Sequence, residues 1–258
     1  IVENKLAISS IDCRMFERWF NKMGYTYVMA DIHGMYNSYE TMLRKIHFRG
    51  EDTLYILGDV VDRGKDGIRI IQDLMWRDNV TLLLGNHEDM MLHVVTLEDM
   101  SGEEYLKGMY QWTRNGGSVT AHTFFECLNY KEQAKIIAYL EECPLFLPNI
   151  EVSGRKYYLV HACPDFEGLA DGINASVITR DSLFVLPDRE AELLKTRVLW
   201  KRLKGTEQTP MDCTVVFGHT PTYYYQDTVP MTCWRSHNII DIDCGCSIPE
   251  KGGRLCCL

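Results

Sequence analysis

Thr53-Leu54-Tyr55-Ile56-Leu57 runs without a break into Gly58-Asp59-Val60-Val61-Asp62-Arg63-Gly64. A short run of β-branched, aliphatic and aromatic residues is a strand signal, and a segment that opens and closes on glycine is a turn signal. The same punctuation recurs on both sides. Residues 25–30 lead into Asp31-Ile32-His33-Gly34, residues 80–84 into Gly85-Asn86-His87-Glu88, residues 157–160 into His161-Ala162, and residues 214–217 into Gly218-His219-Thr220. Of six strand candidates, only 238–242 is not followed by such a cluster. Between the first three strands the spacing predicts helices over 38–46 and 66–76, the second carried by Ile68, Ile71, Leu74 and Met75. Strands alternating with helices argue for layered α/β architecture. In such sheets ligands bind at the carboxyl ends of the strands, so five polar clusters placed there can converge on one crevice.

The rest of the chain sets the frame. From 88 to 145 the pattern stays helical, with polar breaks at 98–104 and 114–118 and Pro144 at its end, which predicts a helical insert beside the sheet. Residues 163–195 read as loop-rich. Without repeats, low-complexity tracts or linker composition, residues 1–258 are expected to form a single domain. Hydrophobic residues at 46% and charged residues at 24% are ordinary for a globular protein and exclude disorder, collagen and coiled coil. A net charge of −9 argues against a nucleic-acid reader. No run reaches the ~18 apolar residues of a membrane span, and charges interrupt every apolar run in residues 1–20 before it becomes an export segment. The ten cysteines are scattered and include no C-x-x-C pair; the Cys244/Cys246 and Cys256/Cys257 spacings suit neither an ordinary disulfide nor a zinc knuckle. Reduced thiols and a cytoplasmic location are therefore expected.

The clusters share one chemistry. Carboxylates, an amide and imidazoles are oxygen and nitrogen ligands suited to hard or borderline divalent ions. Two ions ~3.5–4 Å apart can share a bridging hydroxide and clamp the attacking and leaving oxygens of a phosphoryl displacement. Such a pair needs about six protein ligands, one of them a bridging carboxylate. Asp31, His33, Asp59, Asn86, His161 and His219 supply that number, with Asp59 the natural bridge at the end of a central strand. His87, next to Asn86, is left over, and a free imidazole beside the ions is a candidate general acid.

In order and spacing, DIHG, GDVVDRG, GNHE, HA and GHT resemble the signature of the calcineurin-like metallophosphoesterases, in particular the phosphoprotein phosphatase branch in its compact bacterial form. The likeness spans 25 to about 255 and ends in IDIDCG and GGRLCCL. It implies a β-sandwich flanked by helices in four layers and a site for two divalent ions, manganese first, with iron or zinc as alternatives. By the same resemblance Asp31, His33 and Asp59 hold one ion and Asp59, Asn86, His161 and His219 the other, while His87 is an acid oriented by Asp62. Arg63 and, in the segment Leu199-Trp200-Lys201-Arg202, Arg202 are expected to clamp the phosphate, because a planar guanidinium matches two phosphate oxygens. Trp112 and the segment Arg114-Asn115-Gly116-Gly117 resemble another family stretch and are expected to play a structural part, a turn using both glycines. The run Tyr223-Tyr224-Tyr225 is expected to pack in the core or at the rim.

Some positions depart from the wider family. Leu84 stands where many eukaryotic members carry arginine, Ala162-Cys163 follows His161 in place of a glycine pair, and Pro221 replaces a histidine common in the superfamily. The expected activity is a serine/threonine protein phosphatase acting on phosphoproteins or small phosphoesters. The alternative is a dinucleoside polyphosphate hydrolase, whose pattern has alanine at position 62 and aspartate at position 88; Asp62 and Glu88 favour the phosphatase. A non-catalytic scaffold would have lost a ligand or the acid, and none is missing.

Overall fold

The computed structural model describes residues 24–162, 177–205 and 212–258. Strands β1 (Thr26–Met29), β2 (Thr53–Ile56) and β3 (Val80–Leu82) form a parallel sheet in that order. Parallel neighbours need crossover connections, and α1 (Tyr36–Lys45) and α2 (Gly67–Leu74) provide them. Helix α2 buries Ile68, Ile70, Ile71 and Leu74, the stripe that its sequence spacing presents to the sheet.

The second sheet contains β4 (Phe146–Val152), β5 (Arg155–Val160), β6 (Thr214–Phe217), β7 (Trp234–Ser236) and β8 (Ile239–Asp241), in the order β4-β5-β6-β8-β7. Its inner pairs, β5-β6 and β6-β8, are parallel, and the edge strands β4 and β7 are antiparallel to their neighbours. Val28, Ala30, Leu57 and Leu83 from the first sheet and its strand ends meet Leu159, Val216, Ile240 and Ile242 from the second in one buried cluster, the filling of a β-sandwich. The alternate residues Leu54, Ile56, Val160 and Phe217 join the larger core that also contains Tyr39, Ile71 and Leu199, so helical segments cover the outer faces. The chain end returns to this sandwich, where Val28 and Leu258 exchange backbone hydrogen bonds of 3.0 and 2.9 Å.

The helical insert consists of α3 (Asn86–Val95), α4 (Glu103–Trp112), α5 (Ser118–His122) and α6 (Tyr130–Glu141). The expected polar breaks correspond to the α3–α4 connection and to a widened turn over Thr113–Gly117. Helix α3 is buried on nearly every side, from Asn86 through Leu92, and it leads directly out of the crevice. Asp188–Lys195 forms a further helix, α7, within the stretch expected to be loop-rich.

All six expected strands are present, with ends differing by up to two residues. Strands β4 and β7 were not expected. Pro148 interrupts the alternation of β4, and the structure places it in a register shift between Leu147 and Ile150 on an edge strand, a position that tolerates proline. Strand β7 has only three residues and is fixed by its pairing with β8. Among the described residues the cysteines are free, and no helix is long and apolar enough to cross a membrane. Cys163 and the segment 1–20 lie outside the described residues.

Candidate metal centre

The five clusters sit where the strands stop, and the backbone there is strained. Asp31, His33, Asp59, Asp62, Arg63 and His219 all have positive φ, between 48° and 71°. Side chains other than glycine enter that region at a cost of order 1–3 kcal/mol each, so the surrounding packing must enforce it. The left-handed residues turn the chain sharply after β1, β2 and β6 and gather the polar side chains. Gly58 shows how tight this is: its φ is 86°, and a Cβ there would lie 2.5 Å from the Gly85 backbone. No other residue would let the β2 and β3 turns approach so closely.

Glu88, at the third position of α3, ties these turns together. Its buried carboxylate accepts backbone N–H groups from Asp59 at 2.8 Å, Val60 at 2.8 Å, Val61 at 3.1 Å and Gly85 at 3.0 Å. One side chain thereby caps its own helix and fixes the loop that carries Asp59. Sequence reasoning used Glu88 only to choose between families and missed this structural part; a glutamate three residues after a helix-capping glycine is the available signal.

Asp59 is the hub. Its carboxylate is 3.6 Å from His33 Nε2 and 3.4 Å from His161 Nε2. Two sets of potential ligand atoms have formed, His33, Asp59 and His87 in one, and Asp59, His161 and His219 in the other, each within 4.8 Å. They share Asp59, the geometry asked of a bridging carboxylate. Asn86 Oδ1 joins the second set, 2.9 Å from His161 Nε2 and 3.0 Å from His219 Nδ1. Asp31 stands beside the hub with its oxygens accepting the His219 backbone N–H at 3.1 and 3.0 Å. All six expected ligands are thus buried, but Asp31 belongs to neither set of converging ligand atoms, and His87, expected as the acid, stands with His33 and Asp59 in the first.

The donor set fits a cation. His33 Nδ1 donates to the Val61 carbonyl at 3.0 Å and His161 Nδ1 to the Leu57 carbonyl at 2.7 Å. Each of these bonds fixes the tautomer and leaves Nε2 as a bare lone pair facing inward, as in metal-binding histidines. His161 Nε2 then faces Asn86 Oδ1 at hydrogen-bond distance with no proton between two acceptors. His219 Nε2 is buried without a hydrogen-bond partner. Positive charge placed among these atoms would satisfy them.

Electrostatics point the same way. Burial, and then the charges of Asp243 and Asp59, hold the Asp31 carboxyl well above its usual range, and burial pushes Asp243 up to about 7. Burial would raise Asp59 too, but the imidazoles of His161, His87, His33 and His219 outweigh it and hold the carboxyl low. Burial and Arg63 lower His33, burial lowers His161, and burial with His161 pulls His219 down to about 3. These three imidazoles are therefore neutral near pH 7, the form a metal ion requires.

His87 belongs to the opposite regime. Burial alone would lower it, but Asp59 and the hydrogen-bonded Asp62 carboxylate raise it above the ordinary imidazole range. Its Nδ1 is 2.6 Å from Asp62 Oδ2. That same carboxylate accepts the Trp112 indole N–H at 2.9 and 3.1 Å, and Thr120 Oγ1 accepts the Asp62 backbone N–H at 2.9 Å. Trp112 therefore has a specific structural part: it locks the residue that orients His87. The expected glycine turn is also present, with Gly116 at φ 101° offering its carbonyl to the Arg63 N–H at 3.0 Å. Arg63 lies over the crevice, its Nη2 3.3 Å from His87 Nε2 and its Nη1 donating to Ser247 Oγ at 3.2 Å. Arg202 is nearby, its guanidinium 5.9 Å over the Tyr224 ring and its charge acting on His219 and Asp243. Of the tyrosine run, Tyr225 stacks on Trp234 in the interior, while Tyr223 and Tyr224 stack on each other at the rim.

A bis(5'-nucleosyl)-tetraphosphatase (symmetrical) of Buchnera aphidicola is 32% identical over 118 residues, covering 43% of this chain and 42% of the relative. The match thus spans about two fifths of the length of that curated relative. Among solved structures, a cold-active protein-tyrosine phosphatase of a Shewanella species superposes with a TM-score of 0.54 at 18% identity, covering 92% of this chain and 75% of the other. A protein serine/threonine phosphatase from Saccharomyces cerevisiae superposes with a TM-score of 0.52 at 14% identity, covering 90% and 74%. At such identities the two structures speak for the fold alone. The calcineurin-like phosphoesterase model matches residues 25–242, a span that runs from the first strand of one sheet past the last strand of the other and takes in every cluster of the crevice, so the chain belongs to that family.

Proposed function

We propose that this protein hydrolyses phosphomonoesters whose leaving group is an alcohol, as a serine/threonine protein phosphatase of the phosphoprotein phosphatase branch, working as one domain over residues 1–258. Asp31, His33 and Asp59 would hold one divalent ion and Asp59, Asn86, His161 and His219 the other, manganese being the first candidate. Bound there, the two ions would supply Lewis acidity to the phosphoryl group.

The observation that carries this reading is the chain Trp112–Asp62–His87. A serine or threonine alkoxide is a poor leaving group and needs a proton as the P–O bond breaks. His87, held 2.6 Å from Asp62 and raised in basicity by Asp59 and Asp62, is in position to carry that proton on Nε2. Arg63 supports it. Its Nη2 and a protonated His87 Nε2 are two donors 3.3 Å apart with no acceptor between them, an arrangement that an anionic phosphate oxygen would satisfy on both sides. Arg202 adds a second guanidinium on the His219 side.

The names of the sequence relatives favour a second reading, cleavage of dinucleoside polyphosphates. There the leaving group is a nucleotide anion that departs with little protonation, so an oriented acid has less to contribute. Initial rates of the manganese-loaded protein on a phosphoserine peptide and on diadenosine tetraphosphate decide between the two. The proposal expects the peptide to be the better substrate by kcat/KM. A clear preference for the dinucleotide would replace it with the second reading.

A further inference from the structure

Three thiols between residues 233 and 256, to which no role has been assigned so far, converge. The Sγ atoms of Cys233, Cys244 and Cys256 all lie within 4.8 Å of one another. Cys233 precedes β7, Cys244 follows β8, and the β7–β8 pairing of Trp234 with Asp241 brings them together. Cys256 arrives on the returning chain end, whose next residue, Cys257, bridges to Met29 of β1. The convergence is selective among the eight described cysteines. Cys257 turns its thiol toward the Leu258 carbonyl at 3.8 Å, and Cys127, Cys143, Cys213 and Cys246 belong to no such group.

We propose that Cys233, Cys244 and Cys256 form a thiolate site for a single divalent ion of the zinc class, independent of the Asp59 centre and of the activity assigned to it. Thiolates ~2.3 Å from one tetrahedral ion stand about 3.8 Å apart, a spacing the three sulfurs can adopt with little movement. Thiolate sets of this kind select zinc-like ions over the harder ions that suit carboxylates and imidazoles. Cys244 is buried and the other two are partly exposed, so the site has a floor and an open side through which an ion and a fourth, solvent-derived ligand can enter. Loading replaces three S–H protons by one doubly charged ion and leaves one net negative charge. The charges of Arg235 near Cys233 and Arg254 near Cys256 offset it, and Arg254 is held there by its Nε bond to the Met231 carbonyl at 2.7 Å.

The placement suggests what the ion does. Cys233 and Cys244 flank the edge hairpin of the second sheet, while Cys256 sits on the segment hydrogen-bonded to β1 of the first. One ion would staple the two sheets at the chain end.

Cobalt(II) titration of the reduced full-length protein tests this, because thiolate-to-cobalt charge-transfer absorption arises only from sulfur ligation and is silent for the oxygen and nitrogen ligands around Asp59. The expected result is one equivalent of cobalt with that absorption. It should persist in Asp59→Asn and disappear in each of Cys233→Ser, Cys244→Ser and Cys256→Ser, with circular dichroism confirming that each variant folds. No charge-transfer absorption in the reduced wild type, or its survival in a Cys233→Ala/Cys256→Ala double variant, would overturn the proposal. So would a disulfide between two of the three cysteines, found by mass spectrometry as a loss of two hydrogens, in protein that takes up no thiolate-bound cobalt after reduction.

Discussion

At the scale of single residues, the centre divides its four imidazoles by environment. His33, His161 and His219 are pulled below the ordinary range, and His87 is raised above it. Opposite shifts of like groups separate ligands from acids, because a ligand must be unprotonated and an acid must carry a proton. Replacing His87 by asparagine keeps much of the shape and the hydrogen bond to Asp62 but removes the acidic proton. Hydrolysis of a phosphoserine peptide should fall by ~10² to 10⁴, while hydrolysis of p-nitrophenyl phosphate, which releases a stabilised phenolate, should fall far less. Equal losses on both substrates, with the metal content unchanged, would reassign His87 to positioning the phosphate. The sign with pH also follows. A raised pKa keeps His87 protonated below it and removes the proton above it, so the alkaline limb of the pH profile on the peptide should belong to His87 and vanish in His87→Asn. Most of these side chains were legible in the sequence, because strand-terminal Asp, His and Asn share one ligand chemistry. Their positive φ values and the bond from Trp112 to Asp62 were not, since both are imposed by neighbours from other elements of the chain, such as Glu88 on the Asp59 turn.

Among the elements, the N-terminus of α3 does the most to shape the centre. Glu88 holds four backbone N–H groups from two strand-end turns. Glu88→Gln keeps an oxygen for Val60 and Val61 but turns an amide NH₂ toward the N–H groups of Asp59 and Gly85. Two buried donors left facing a donor cost about 1–3 kcal/mol each. We expect a loss of roughly 2–5 kcal/mol in urea unfolding, together with weaker metal retention, since the displaced loop carries Asp59. A change below 0.5 kcal/mol would mean that Glu88 is not the tie it looks to be. Element order was largely legible because strand and helix periods alternate cleanly up to residue 95. The failures are physical as well. A proline in a bulged edge strand hides β4, the β7 residues Trp234-Arg235-Ser236 carry no run of β-branched residues to signal a strand, and α7 follows a stretch whose mixed charge masks its helical period.

For the whole molecule, the fold concentrates carboxylates where water cannot screen them. Burial, with help from neighbouring carboxylates, pushes Asp243 and Glu88 up to about 7 and Asp31 well above its usual range. A carboxyl raised in the folded state favours folding below its unfolded pKa and loses that contribution as pH rises through the folded value. In metal-free protein this cost is fully present above about pH 7. Bound cations relieve it there without having to displace protons. At lower pH the carboxyl groups hold their protons and compete with the ions. Manganese should therefore raise the melting temperature more at pH 8 than at pH 5, and calorimetry with and without a chelator checks the order. The thiol cluster lies at this scale too: scattered cysteines read as inert in the sequence, and only the packing of two sheets against the chain end unites them. The central claim is that the Asp59-centred crevice works through two divalent ions, and a joint titration of metal content and turnover tests it most directly. Elemental analysis of the Cys233→Ser variant, which lacks the thiolate site, should show phosphopeptide hydrolysis absent in stripped protein and rising to its plateau at two ions per chain. Full turnover in protein verified to hold no metal, or a plateau that Asp59→Asn leaves unchanged, would contradict it.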